Sequence, residues 1–151
     1  LFCCLILNLM NNENNQIEID FNGALSRYKS GHPLHTVLID FQKIINQIPN
    51  HFAAWTCLSW LYLLMQNNDE ALRSAKQAVK LNGQDPQARM NLSLALLATN
   101  TKGVREHIEI IKRMMIMLPE LNSELKESIQ DGFERYPDWP ELSKVKKWLE
   151  L

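Results

Sequence analysis

The pattern of apolar and polar positions divides the chain into segments of helical length from Ile17 onward. Within these segments, apolar side chains recur every three or four residues, which places them on one face of an α-helix. No segment shows the period-two alternation between turn residues that indicates a β-strand. The pattern therefore predicts an all-α fold. The eight predicted helices cover about 17–30, 33–48, 51–66, 69–81, 86–99, 101–117, 122–135 and 139–149.

Residues that favour turns lie at the predicted breaks. Gly31 ends the first helix, and Pro49 prevents the second helix from continuing. Asp85 is suited to cap the fifth helix, whose first turn then contains Pro86. The third helix is apolar on nearly all sides, so we expect neighbouring helices to cover it in the middle of the fold.

The helix pairs repeat with a period of about 34 residues, which is typical of helical solenoids. The second pair follows the spacing W-x2-L-G-x2-Y, with a small residue nine places on. Its matching residues are Trp55, Leu58, Ser59, Tyr62 and Ala71. A shift by one period toward the N-terminus places Phe21, Ala24, Leu25, Tyr28 and Phe41 on equivalent positions, and a shift toward the C-terminus places Arg89, Leu92, Ser93 and Leu96 there.

These residues resemble a tetratricopeptide repeat (TPR). The resemblance implies a right-handed α-solenoid of about three TPR-like helix pairs plus C-terminal capping helices. A TPR-like domain over 17–151 would then contain units at about 18–51, 52–85 and 86–120, followed by the capping helices at 121–150. The sequence departs from the family where Ser59 and Ser93 replace a glycine and where Gln66 stands at the usual turn glycine. The alternative is an ordinary bundle of amphipathic helices.

The resemblance also implies a concave groove lined by the first helix of each unit. Some family members use lysine, asparagine and arginine there to bind a partner's C-terminal carboxylate, but this chain has no such set of cations. The centre of the groove is instead apolar and suited to the apolar face of a partner helix. The residues expected on the concave side are Asn22, Ser26, Ala53, Thr56, Trp60, Leu63, Gln87, Met90 and Leu94.

Two functions stay open for this surface. In the first, the chain is a non-catalytic scaffold or adaptor that binds a segment of a partner protein in the groove. Charged residues at Trp60 and Met90 would then abolish capture without unfolding the chain. In the second, the same surface closes a homodimer as a structural self-assembly unit. As a further alternative, the groove residues are covered by the ends of their own chain.

Composition narrows the choice of function. Lysine and arginine number 16 against 17 aspartates and glutamates, so no basic field favours nucleic acid. We predict no enzyme, cofactor or metal site, because the phosphate-binding and nucleophile motifs are missing and the histidine pair His32 and His35 flanks a proline. Cys57 is expected to be a core residue. Two of the three cysteines are adjacent, which favours a reducing, cytoplasmic setting.

The first 16 residues form an apolar and asparagine-rich segment that we expect to be disordered. Its apolar part, LFCCLILNLM, has about half of the roughly twenty residues that span a bilayer. Three interpretations stay open. In the first, translation begins at Met10 and residues 1–9 lie outside the mature protein. In the second, the segment packs against the fold. In the third, it is a truncated membrane anchor.

Overall fold

The computed structural model describes residues 15–151, and the predictions for residues 1–14 lie outside this part of the chain. The described residues form eight α-helices and no β-strand. The all-α solenoid predicted from the sequence is confirmed. The helices are α1 (Asn15–Lys29), α2 (Leu34–Gln47), α3 (Phe52–Leu64), α4 (Asn68–Leu81), α5 (Pro86–Ala98), α6 (Val104–Met117), α7 (Leu121–Arg135) and α8 (Pro140–Leu149).

Most helix ends lie within two residues of the sequence-based prediction. Helix α1 includes Asn15 and Gln16, which lie inside the segment that was expected to be disordered. Helix α6 begins at Val104 rather than near Thr101, because Gly103 before it has a left-handed backbone (φ 111°).

The first helices of the three pairs, α1, α3 and α5, end with the same hydrogen-bond pattern. In each, a residue with positive φ follows the helix, and the N–H after it bonds to a carbonyl five residues back, as in a Schellman motif. The positive-φ residues are Gly31, Gln66 and Asn100. The bonds join His32 to Arg27 (3.1 Å), Asn67 to Tyr62 (2.9 Å) and Thr101 to Leu96 (2.8 Å). The repeat is therefore visible in the backbone as well as in the side chains.

The second helices, α2, α4 and α6, end differently, with an extended residue whose N–H bonds to the carbonyl four residues back. Helix α7 ends in this way, through Tyr136 and Gly132 at 2.8 Å. Helix α8 instead ends with the positive-φ residue Glu150 and a bond from Leu151 to Lys146 (3.2 Å). The C-terminal hydrogen bonds of α7 thus resemble those of the second helix of a repeat, and the C-terminal hydrogen bonds of α8 resemble those of a first helix.

The packing agrees with this distinction. Helix α8 contacts α5 and α6, just as α5 contacts α3 and α4, so α8 takes the place of the next first helix and caps the stack. Helix α7 is inserted between α6 and α8 and contacts α5, α6 and α8. Its far end reaches α1, where Arg135 donates a hydrogen bond to the carbonyl of Tyr28 (2.8 Å). The C-terminal helices thus extend beyond the third unit that they were expected to cap.

One large core connects the helix pairs to the C-terminal helices. It runs from Phe21 and Phe41 in the first pair, whose rings meet edge to face at 5.5 Å, to Leu142 and Leu149 in α8. Helix α3 lies at its centre, with ten of its thirteen residues buried. Burial on this scale is the main stabilising term of such a fold.

We expect the protein to lose stability between about pH 7.5 and 5.5, where histidine gains its charge. Nδ1 of His51 accepts a hydrogen bond from the N–H of Ala54 (3.1 Å) at the start of α3, and burial lowers the pKa of this imidazole below its usual 6.5. A lowered pKa means that the neutral ring stabilises the fold above pH 6.5 and that this contribution is lost as the pH falls. His107, whose pKa burial and Arg89 also lower, acts in the same direction.

Thermal unfolding of the wild type and of His51→Asn at the two pH values tests this expectation. Asparagine is a good N-cap that does not titrate in this range, so the variant should lose less melting temperature on acidification. An equal drop in both proteins would show that His51 does not contribute.

Candidate functional site: the concave wall and its covering helix

The structure brings seven of the nine predicted groove residues together on α3 and α5 but buries them within the chain. We call these seven residues the concave wall. Their exposed fractions are Ala53 4%, Thr56 1%, Trp60 2%, Leu63 2%, Gln87 6%, Met90 0% and Leu94 0%. The expectation that Trp60 and Met90 line an open groove is therefore corrected. Of the alternatives left open by the sequence, the structure has the chain's own C-terminal helices covering this surface.

Trp60 is the point at which the covering helices fit most closely. Its ring lies 5.5 Å from that of Trp139, which precedes α8. On α7, Gly132 packs so closely that an added Cβ would be 3.0 Å from Cη2 of Trp60 and 2.7 Å from Leu142. Contacts that short require a neighbour to move, so the absence of a side chain at Gly132 allows α7 to lie against the wall.

A polar cluster joins α7 to the last turn of α1. The Tyr28 hydroxyl donates a hydrogen bond to Asp131 and accepts one from Nε1 of Trp60 (2.9 Å). Arg135 forms an ion pair with Asp131 (3.1 Å), and its guanidinium carbon lies 3.7 Å from the centre of the Tyr28 ring. Burial raises the pKa of Tyr28, and the neighbouring Asp131 raises it further, so the hydroxyl remains a donor. The cluster fixes both the position and the direction of α7.

A second polar cluster lies inside the wall, between α3 and α5. Nδ2 of Asn91 donates to the carbonyl of Thr56 (3.1 Å) and to Oγ of Ser59 (2.9 Å), and Gln87 donates to Asn91 (2.8 Å). Asp85 caps α5 through the N–H groups of Gln87 (2.7 Å) and Ala88, as the sequence predicted, while burial raises the pKa of this carboxyl. These bonds hold the two wall helices in register.

Three buried side-chain atoms of the described residues, on the wall and on α7, have no hydrogen-bond partner. Among the described residues, these side-chain atoms are Oε1 of Gln87 on the wall and, on α7, Oδ1 of Asn122 and Oγ of Ser128. A buried atom left unpaired costs about 1–3 kcal/mol. Only four of the fifteen residues of α7 are buried, against ten of thirteen in α3. Helix α7 therefore buries a smaller share of its residues than the wall helix α3 does.

The other two predicted groove residues, Asn22 and Ser26, stay exposed on α1. Sequence reasoning missed Ile19, which is 56% exposed on the same side of this helix. Its signal was available, because Ile19 precedes Ala53 by one repeat period. We call Ile19, Asn22 and Ser26 the open rim. Among the described residues, the part of the predicted groove on α1 is thus exposed, while the part on α3 and α5 is buried.

No group of three or more histidine, cysteine, aspartate or glutamate side chains in residues 15–151 is arranged to hold a metal ion. Cys57 is fully buried in the core, as the sequence predicted. No helix in this part of the chain is both long and apolar enough to cross a bilayer.

Comparison with solved structures shows that the fold is TPR-like. The type III secretion translocator chaperone SycD of Yersinia enterocolitica, solved as an alternative dimer, has a TM-score of 0.64 and 16% identity over 95% of this chain and 100% of that chain. The first TPR of Spaghetti (RPAP3), bound to an HSP90 peptide, has a TM-score of 0.55 and 14% identity over 91% and 94%. MamA RS-1 has a TM-score of 0.57 and 19% identity over 92% and 75%. No protein-family model and no curated protein matches the sequence.

Proposed function

We propose that the chain is a non-catalytic protein-interaction scaffold whose concave wall binds a segment of a partner protein. The observation that carries the proposal is that the wall already holds a helix, because α7 lies across it and reaches from α6 to α1. A surface that accommodates an amphipathic helix of its own chain has the shape and apolar character to accommodate another. We also propose that the three repeat units of this scaffold span residues 18–51, 52–85 and 86–120.

The comparisons support a binding role for this fold. The Spaghetti TPR is bound to a peptide, and SycD is described as a chaperone of translocators. The concave positions of this chain carry no lysine or arginine, so we propose recognition through apolar contacts rather than through a carboxylate clamp. A reducing, cytoplasmic location fits the cysteine content and belongs to the same proposal.

Self-association through the same residues is less favoured. SycD was solved as an alternative dimer, but in this chain Trp60, Met90 and Leu94 are buried within one copy. A homodimer that used them would first have to displace α7 from the wall. Partner binding has the same requirement at the wall, but it can begin at the open rim, which is exposed.

Photo-crosslinking from the open rim tests the proposed function. A benzoylphenylalanine placed at Asn22 or at Ser26 should crosslink to a captured partner, since both side chains are exposed on α1, on the side proposed to be concave. The matched control is the same residue at Lys76, which is exposed on α4. Crosslinks from Lys76 alone, or equal crosslinks from all three positions, would contradict binding on the concave side.

A further inference from the structure

We infer that α7 is an internal ligand of the concave wall, and that the partner is an amphipathic helix that replaces it by presenting a carboxylate to Tyr28 and a small residue to Trp60. This inference rests on the proposed function and deepens it by giving the chemistry of the partner. The position of α7 on the wall, rather than an unoccupied surface, identifies the occupant.

The contacts of α7 define what such a helix must carry. Its buried residues are Leu125, Ser128, Ile129 and Gly132, which follow the helical spacing of one face. Asp131 accepts from the Tyr28 hydroxyl, and Arg135, four residues later, donates to the Tyr28 carbonyl. A matching partner helix therefore has two aliphatic residues four apart, then an acidic residue followed by a small one, and a basic residue one turn further on.

Another helix can compete with α7 for the wall, because only four of the fifteen residues of α7 are buried. Asn122 and Ser128 on α7 and Gln87 on the wall each have a buried side-chain atom without a hydrogen-bond partner among the described residues. A partner helix that pairs with the Gln87 oxygen would gain a bond that α7 does not make. Helix α7 competes with it as a tethered ligand, so a partner binds more tightly when α7 is weakened.

Two substitutions in the full chain should release α7 while α1 to α6 stay folded. Asp131→Lys removes the acceptor of the Tyr28 hydroxyl and places a second positive charge beside Arg135. Gly132→Val adds atoms where a Cβ alone would be 2.7 Å from Leu142. The matched controls are Glu134→Lys, an equal change of charge on the exposed face of α7, and Gly23→Val, whose Cβ would meet only the Arg27 guanidinium.

The probe is a fluorescent peptide with the sequence of residues 121–135, and binding is measured by fluorescence anisotropy. We expect the releasing variants Asp131→Lys and Gly132→Val to bind the peptide at least about ten-fold more tightly than the wild type does. The control variants Glu134→Lys and Gly23→Val should bind it as weakly as the wild type. A peptide that carries both D131K and G132V should not bind any of the five proteins. Circular dichroism and cooperative unfolding establish that each variant is folded.

Each other result overturns the inference. Equal affinity of all five proteins would show that α7 does not block the wall, and equal binding of the altered peptide would show that the acidic and small residues are not recognised. Loss of folding in both releasing variants would show that α7 cannot leave the wall. Failure of the proposed function is detected separately, as the absence of partner crosslinks from Asn22 and Ser26.

Discussion

Replacement of Trp60 by alanine is expected to lower the free energy of unfolding by about 3–5 kcal/mol. Trp60 is 2% exposed, and it packs against Trp139 and Gly132 while its Nε1 donates to the Tyr28 hydroxyl. Removal of the indole ring leaves a cavity between α3 and the covering helices. The buried hydroxyl of Tyr28 also loses one of its hydrogen-bond partners. Urea unfolding followed by circular dichroism measures the change.

Trp148 provides the matched control for this substitution. Its side chain is 41% exposed on α8, so Trp148→Ala should cost no more than about 1 kcal/mol. A loss of that small size at Trp60 would mean that its ring is not enclosed by α7 and α8. The covering role of the C-terminal helices would then be wrong.

Met90→Lys is expected to destabilise the protein by about 3–5 kcal/mol, because it places a charged ammonium group at a fully buried position. Met90 is 0% exposed on α5, where the neighbouring polar groups Gln87 and Asn91 already bond to each other. The sequence alone predicted that charged residues at Trp60 and Met90 would leave the fold intact. Burial of both side chains reverses that expectation.

Two controls separate the effect of charge from that of shape. Met90→Leu keeps the volume and should cost less than about 1.5 kcal/mol. Met117→Lys makes the same change at a side chain that is 79% exposed and should be close to neutral, within about 0.5 kcal/mol. Equal stability of Met90→Lys and Met117→Lys would place Met90 on an open surface and contradict the closed wall.

The repeat could be predicted from the sequence because it depends on local spacing. Trp55, Leu58 and Tyr62 fix the face of α3 on which the pair packs, and the same spacing recurs one repeat period away. The breaks were also readable, since Asp85 before Pro86 is a strong start signal for a helix. Gln66, which stands where the family usually has a glycine, still adopts the positive φ of that turn (57°).

The position of α7 could not be predicted in the same way. Its apolar residues Leu125 and Ile129 show which face is buried, but a pattern within one helix does not say which surface covers it. The contacts that decide this join residues far apart in the sequence, such as Tyr28 with Asp131 and Trp60 with Trp139. Gly132 was the available signal, because glycine within a helix costs stability unless close packing requires it.

The closed wall is tested most directly by a nuclear Overhauser measurement on the free protein. The space that a Cβ of Gly132 would fill is 3.0 Å from Cη2 of Trp60, so the α-protons of Gly132 lie close to the edge of this indole ring. We expect a strong cross-peak between the α-protons of Gly132 and the ring protons of Trp60. A second cross-peak should join the rings of Trp60 and Trp139, whose centres are 5.5 Å apart. The absence of both cross-peaks in the folded protein would show that the C-terminal helices do not lie on the concave wall.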